Sequence, residues 1–180
     1  MKRTILWIGV LVILFSSCDD IKIISATRAT SVSDSLKATV TTAMPDLITG
    51  DRLLDTNINP DIAEFEDRIS DFDMDSLLFE FSEFQGPAEA TLQNTYLSLL
   101  DLDLNEIVEP VFVAELPLKE YSDEGKPYVV IFDQADSETI AQKLLEDRAA
   151  WVRFSAELAD RPVEVRLKAT LYLKVTGEVL

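Results

Sequence analysis

Apolar and polar residues alternate along much of the chain, most regularly near its C-terminal end. In residues 163–175 an apolar residue occupies every second position, and four charged residues, one threonine and one tyrosine occupy the positions between them. Residues 152–158 alternate in the same way. Because successive side chains of a strand point to opposite faces, both segments are predicted to be strands with one buried face.

Weaker strand patterns and two helix patterns fill the rest of the chain. Further strands are predicted at residues 36–43, about 52–57, 75–84, 90–104, 111–116 and 128–132. Two segments have helical spacing instead: one covers about residues 60–70, after the capping sequence Asn59-Pro60, and the other covers about residues 137–150. The continuous apolar run at 128–132 predicts burial on both faces.

Together these elements predict a mainly β fold, with a single antiparallel, two-layer β-sandwich-like domain over residues 36–180 and one or two short helices. With 180 residues, 47% of them hydrophobic, the chain can form one such core. Residues 25–35 are rich in Ser, Thr and Ala, so they are predicted to belong to a tether that precedes the domain.

The two best strands are separated only by residues 159–162, which predicts an antiparallel hairpin. In one register Glu157 lies opposite Arg166, and in the register shifted by two it lies opposite Glu164. Because like charges directly opposite each other are destabilising, the first register is predicted.

The outward side of this hairpin is the predicted interaction surface. It collects cations and aromatic residues in an otherwise acidic chain, and Tyr, Trp and Arg are enriched at the centres of interfaces. Its members are Trp151, Arg153, Arg166, Lys168, Tyr172 and Lys174. The alternative interpretation is a solvated strand face whose charges discourage pairing with other chains.

The first residues of the chain have the organisation of an export signal. Lys2 and Arg3 precede an apolar run at residues 5–15, which is too short for the roughly 20 residues that cross a bilayer. The run ends in Leu14-Phe15-Ser16-Ser17-Cys18, which resembles the lipobox of bacterial lipoproteins. With the acidic residues that follow, the segment is most similar to small envelope lipoproteins of the Bacteroidota type.

This resemblance implies that residues 1–17 are a signal peptide and residues 18–35 a lipidated N-terminus and tether, with palmitate or similar acyl chains on Cys18. It also implies a location in the cell envelope, anchored to a bacterial membrane on its periplasmic or surface face, with the outer membrane favoured. Asp19 and Asp20 leave two interpretations open. Acidic residues here accompany inner-membrane retention in enterobacteria and surface export in Bacteroidota-type lipoproteins.

Charge excludes one class of partner. The formal charge is −17, and removal of residues 1–17, with two cations and no acids, changes it by −2 to −19. Nucleic acid and anionic headgroups repel such a chain, so no nucleic-acid partner is predicted and membrane attachment is assigned to the lipid.

No catalytic or cofactor motif is recognisable in the sequence. There is no histidine, which excludes Ser-His-Asp triads and histidine metal sites, and the five glycines do not form a nucleotide-binding loop. Acidic residues at 71–75 and 101–106 are of the calcium-binding type, but both segments depart from the EF-hand pattern at its glycine and glutamate positions. The favoured interpretation of both is an alternation of buried apolar and exposed acidic residues. No cofactor, metal site or catalytic residue is therefore predicted.

The sequence thus predicts a membrane-anchored, non-catalytic binding or assembly module with an envelope protein as its partner. The alternative is a periplasmic or surface carrier whose Leu- and Phe-rich interior holds a lipid or other apolar ligand. An apolar cavity of roughly 300 Å³ or more favours the carrier, and a sealed core favours the module. A third hypothesis is a carbohydrate-active enzyme, which an exposed cleft with paired carboxylates would support.

Overall fold

Eight strands and three short α-helices make up residues 24–179, the part of the chain that the computed structural model describes. The strands are β1 (Ile24–Val40), β2 (Leu47–Asp55), β3 (Ile69–Gln85), β4 (Thr91–Leu100), β5 (Val111–Pro117), β6 (Tyr128–Val130), β7 (Ala149–Leu158) and β8 (Val163–Val179). The helices are α1 (Pro60–Ala63), α2 (Leu118–Glu124) and α3 (Gln134–Asp147). None of these helices is both long and apolar enough to cross a bilayer. The predicted signal peptide and Cys18 lie outside the described residues.

The strands form two four-stranded antiparallel sheets. The first sheet has the order β1-β8-β3-β6, and the second sheet has the order β2-β7-β4-β5. The chain crosses from one sheet to the other after most of its strands, and this arrangement of eight strands in two packed sheets is that of a jelly roll. The prediction of a mainly β, antiparallel two-layer sandwich is confirmed.

The two sheets pack face to face around one apolar core. The seven apolar residues of 163–175 that alternate in the sequence are all buried, at most 8% exposed, as predicted. From β3, the rings of Phe79 and Phe81 lie with their centroids 6.5 and 6.4 Å from that of Phe154 on β7. Aromatic residues of both sheets therefore meet at the centre of the sandwich.

The predicted hairpin is wrong, because β7 and β8 belong to different sheets. β7 lies between β2 and β4, and β8 lies between β1 and β3. Glu157 is opposite Leu47, and Arg166 is opposite Lys37, so neither register considered for the hairpin exists. Alternation determines which face of a strand is buried but not which strand lies beside it. Residues 159–162 carry the chain across the core instead of reversing it within one sheet.

The tether predicted to extend to residue 35 is also wrong from Ile24 onward. β1 has 17 residues and pairs with β8 along its whole length. Of its described side chains, only Val32 and Val40 are buried, because β1 is the edge strand of the first sheet. Serine and threonine are typical of flexible segments, but they also suit the solvated face of an edge strand, and the long partner strand orders this one.

Both predicted helices exist with shifted limits. α3 begins directly after its N-cap residue Asp133, whose side chain accepts a hydrogen bond from the N–H of Asp136. The helix ends at Asp147, three residues before the predicted limit at Ala150. The helix predicted at about 60–70 consists of α1 and a short 3-10 turn, because Ile69 already begins β3. α2 was not predicted, since its segment is rich in turn-forming residues.

The edge of the first sheet opposite β1 is formed by β6, which is only three residues long. β6 pairs with residues 77–79 of the much longer β3. Val129 and Ile131 are exposed, so the burial on both faces predicted for 128–132 is wrong. The short strand leaves most of β3 without a neighbour on this side among the described strands.

Candidate functional site

The six residues of the predicted interaction surface lie on opposite sides of the molecule. Trp151 and Arg153 are on β7, on the outward face of the second sheet. The other four are on β8, on the outward face of the first sheet, and are Arg166, Lys168, Tyr172 and Lys174. Because the two outward faces point away from each other, these residues do not form one surface.

On the first sheet, every predicted cation is paired with a carboxylate of β3. The nitrogen-to-oxygen distances are 2.8 Å for Lys174 Nζ and Asp73 Oδ2, 2.9 Å for Lys168 Nζ and Glu80 Oε2, and 2.9 Å for Arg166 Nε and Glu83 Oε1. We call these three pairs the ion-pair ladder. The hydrogen bond to Asp73, and the charge of that carboxylate, raise the pKa of Lys174. The ladder therefore neutralises the cations, and no positive patch results.

Tyr172 is the fourth predicted residue of this face, and it is exposed. With Lys174 it borders an open groove of about 450 Å³, whose other wall includes Asn59 and Asp61. The side-chain amide of Asn59 donates a hydrogen bond of 2.7 Å to the carbonyl of Ser31. Part of this groove thus serves to hold the segment before α1 against β1.

On the second sheet, Arg153 forms a two-pronged ion pair with Asp51 of β2. Its Nε lies 2.8 Å from Oδ1 and its Nη2 lies 2.9 Å from Oδ2, so both ends of the guanidinium fork are used. This hydrogen bonding lowers the pKa of the Asp51 carboxyl, and the charge of Arg52 adds to the effect. The pKa of Arg153 is raised by the same contact. Arg153 is therefore engaged within the protein.

Trp151 is half-buried and lies between two apolar residues of neighbouring strands. Leu53 of β2 and Leu100 of β4 are opposite it, and Leu100 is fully buried although it is on the outward face. Glu106 forms an isolated β-bridge with Leu100, so the loop after β4 lies beside Leu100. Trp151 is thus part of a local packing cluster.

An exposed pair of aromatic residues that was not among the predicted site residues lies on the same face, on the two strands at its β5 edge. Tyr96 of β4 and Phe112 of β5 are opposite each other, with ring centroids 5.2 Å apart. Their side chains are 47% and 54% exposed. We call Tyr96 and Phe112 the aromatic pair. The signal was available, since Phe112 stands between Val111 and Val113 in a predicted strand whose alternation places it on the other face.

The side chains in the same row as the aromatic pair are polar and uncharged. Ser155 of β7 is opposite Tyr96, and Thr49 of β2 is opposite Ser155. In the next row Ser98 is opposite Arg153, whose charge is balanced by Asp51. In the row on the other side, Gln93 lies between the exposed acids Glu157 and Glu115. The uncharged row itself can bury aromatic area against a partner without desolvating an ion.

The two acidic segments differ from each other. In β3 the acids at positions 71, 73 and 75 are exposed and alternate with the buried Phe72 and Met74, which confirms the predicted alternation there. The alternation predicted at 101–106 is wrong, because this segment is a turn in which Leu102 and Leu104 are exposed.

The Asp101 carboxylate holds that turn together. It accepts hydrogen bonds of 2.9 Å from the backbone N–H groups of Asp103 and Asn105. The bond from the Asn105 N–H is the main cause of a lowered pKa of Asp101. No group of three or more acidic or cysteine side chains in residues 24–179 is placed to hold a metal ion.

Two small apolar cavities lie between the sheets. One has a volume of about 50 Å³ and is lined by side chains such as Leu36, Ile48, Phe81 and Leu167, and the other has a volume of about 10 Å³. A bound lipid needs several times either volume. Among the side chains whose burial is described, the buried polar ones are Thr56, Thr95, Ser98 and Thr170, none of which is ionisable.

A larger groove lies between α3 and the beginning of β3. Its volume is about 490 Å³, and it is lined on the strand side by residues 71–74 and on the helix side by residues that include Gln134, Glu138 and Gln142. The groove is open and polar at its rim, with buried Phe72, Met74 and Ala141 at its base. Its volume is in the range that suits a ligand or a peptide.

No family model matches this chain, and no curated protein gives a significant match. Three solved structures have a similar arrangement of strands at very low sequence identity. The decameric BFDV capsid protein has a TM-score of 0.43 at 9% identity, covering 83% of this chain and 99% of that one. For Desmodium yellow mottle tymovirus the TM-score is 0.38 at 8% identity, with 88% and 84% of the two chains covered.

The third is the semi-empty virus-like particle of the Macrobrachium rosenbergii nodavirus. Its TM-score is 0.39 at 8% identity, covering 87% of this chain and 96% of that one. With such scores, the assignment of the fold rests on the strand order within the two sheets. These similarities have no bearing on what the chain binds.

Proposed function

We propose that this protein is a lipid-anchored envelope module that binds a protein partner through the outward face of its second sheet. The observation that carries the proposal is the aromatic pair, with two rings exposed side by side in an uncharged row of the sheet. Exposed aromatic residues that can be buried by a partner are the usual centre of a protein interface. The small size of the apolar cavity between the sheets supports a binding module over a ligand carrier, since about 50 Å³ is well below what a carrier requires.

The attachment to a membrane is supported by the sequence of residues 14–18, which resembles a lipobox. More than one acyl chain is needed for stable anchoring, and the lipid on Cys18 would supply it. We expect palmitate to label the wild-type protein but not the Cys18→Ser variant, and we expect this variant to leave the membrane fraction. Retention of Cys18→Ser in the washed membrane fraction would contradict the anchor.

The interaction is tested by photo-crosslinking in intact cells. A crosslinking amino acid in place of Phe112 is compared with the same residue in place of Tyr172, which is exposed on the opposite sheet. We expect a defined protein adduct, identified by mass spectrometry, from position 112 and not from position 172.

Substitution gives the matched control. The Tyr96→Ser and Phe112→Ser double variant should lose the partner, whereas Tyr172→Ser with Val129→Ser, two exposed positions of the first sheet, should keep it. All four positions are exposed, so both variants should melt close to wild type. Adducts from position 172 alone, or equal retention of the partner by both variants, would overturn the assignment to the second sheet.

A further inference from the structure

The outer edges of the two sheets are protected to different degrees. In β1, the carbonyls of Ser31 and Ser35 accept hydrogen bonds from the side chains of Asn59 and Arg52, at 2.7 and 3.3 Å. The edge strand β5 is short and is bounded by prolines at 110 and 117. Side-chain caps, short length and proline are ways in which proteins prevent pairing at an edge.

The edge of β3 that faces away from β8 differs from the edges of β1 and β5. β8 pairs with it on one side over most of its 17 residues, while on the other side β6 covers only residues 77–79. Further along, the backbone N–H of Phe84 donates to the hydroxyl of Ser122 in α2. Within the described residues, nothing hydrogen-bonds to the backbone of 71–76 from this side.

This unpaired part of β3 forms one wall of the groove of about 490 Å³, and one face of α3 forms the other. The four residues 71–74 of the strand extend over roughly 13 Å at the usual rise per residue. A groove bounded by an open strand edge and a helix has the form of the sites that accept an extended peptide as an additional strand. An added strand would lie in line with β6 and lengthen that row of the sheet.

The charges of the groove select the occupant. Asp71, Asp73 and Glu138 line it, and no cation does. Asp73 is partly neutralised by Lys174, whereas Asp71 and Glu138 are exposed and have no cation within ion-pair distance among the described residues. A second copy of this chain pairing through the same edge would place carboxylates beside carboxylates, which is destabilising. The occupant that fits is an extended, lysine- or arginine-containing segment of a different protein.

We propose that the groove between α3 and residues 71–76 of β3 binds an extended cationic segment of a partner protein by strand addition. Backbone hydrogen bonds to the open edge supply the pairing, and Asp71 and Glu138 select for basic side chains. This surface is separate from the aromatic pair, so it can bind whether or not the second sheet contacts a partner.

The test uses the full-length protein in mild detergent and a capped eight-residue peptide in which lysine and valine alternate. Its control is the same peptide methylated on alternate backbone nitrogens, which keeps the charge but removes the donors of one edge. We expect the first peptide to bind and to protect the amides of residues 71–76 from hydrogen exchange. The methylated peptide should bind at least roughly tenfold more weakly, since it cannot complete the ladder.

Charge-reversed variants provide a second test of the proposal. Asp71→Lys with Glu138→Lys should weaken binding of the lysine peptide roughly tenfold or more, because rows of opposite charge become rows of like charge. Glu89→Lys with Glu120→Lys changes the net charge equally at exposed positions outside the groove, and it should leave binding within about twofold. The proposal is overturned if the lysine peptide does not bind, if both peptides bind equally, if both double variants bind alike, or if protection falls elsewhere.

Discussion

The outward faces of the two sheets differ in how their side chains are used. On the first sheet, the ion-pair ladder joins each of three cations of β8 to an acid of β3. On the second sheet, the ion pair of Arg153 with Asp51 joins β7 to β2, and the two exposed rings of the aromatic pair face each other on β4 and β5. Polar groups paired within a protein have less to gain from a partner than exposed apolar groups, which gain by leaving water. Cations alone were therefore a poor guide to the face that we propose for binding.

The two faces are nevertheless parts of one cooperative unit, because their inward sides share a core. Phe79, 1% exposed, lies at the centre of that core beside Phe154 of the other sheet. We expect Phe79→Ala to lower the free energy of unfolding by about 3–5 kcal/mol, the usual range for truncating a buried phenylalanine. Chemical denaturation followed by circular dichroism measures this loss.

Val129→Ala, at an exposed position of β6, is the control and should change the stability by less than about 0.5 kcal/mol. If the sheets unfolded in two separate transitions, or if Phe79→Ala cost no more than the control, the view of one shared core would be wrong.

The ion pairs of the two faces should differ in strength. Both ends of the Arg153 guanidinium bind Asp51, and about a third of each side chain is exposed. The Lys168 and Glu80 pair has a single contact and is more exposed. We expect about 1 kcal/mol of coupling between Arg153 and Asp51 and at most a few tenths between Lys168 and Glu80, measured by double-mutant cycles of unfolding.

Arg153→Lys separates charge from geometry in this comparison. It keeps the charge but removes the planar fork, so it should lose most of the coupling with Asp51. Equal coupling energies for the two pairs would show that the geometry of the fork is unimportant here.

The pairing of Asp51 also makes the stability depend on pH. The pKa of Asp51 is lowered in the folded protein, so the unfolded state binds the proton more readily and stability rises with pH in this range. The contribution of Asp51 is full above its ordinary pKa of 3.8 and is lost as the pH falls through the folded value. Wild type should therefore exceed Asp51→Asn by up to about 1 kcal/mol near pH 6, and the two should converge below pH 3.8.

Unfolding free energies of both proteins across this pH range measure the effect. A difference that persisted undiminished at the lowest pH would mean that the carboxylate charge is not its source.

The alternation within the last strand was enough to predict which of its faces is buried, but not which strands lie beside it. The alternation of 163–175 identified β8 and its inward residues, because the period of a strand is a property of the strand itself. The partner of β8 depends on a crossing of the core by residues 159–162, which has no local signature distinct from a hairpin turn. The candidate site failed for the same reason, since Arg153 and Arg166 were joined only by the assumed hairpin.

A better signal for the pairing was present in the charges. The acids Asp73, Glu80 and Glu83 of β3 follow the chain in the opposite order to the cations that bind them on β8, as antiparallel neighbours must. The aromatic pair could be predicted in part, because the alternation places Phe112 on the face of the strand that Val111 and Val113 do not share. Its partner Tyr96 was not, since the bulge between Gln93 and Tyr96 shifts the pattern of β4 by one residue.

The early start of β1 has a consequence for the setting of the whole molecule. Ile24 follows Cys18 by six residues, which span at most about 21 Å even when fully extended. Ile24 lies opposite Val179, and Ile69 lies opposite Gly177, so the ends of three long strands meet at the same pole of the sandwich. With the proposed acyl chains on Cys18, this pole would face the bilayer at close range, and any polypeptide reaching the beginning of β3 would do so within a few nanometres of the lipid headgroups.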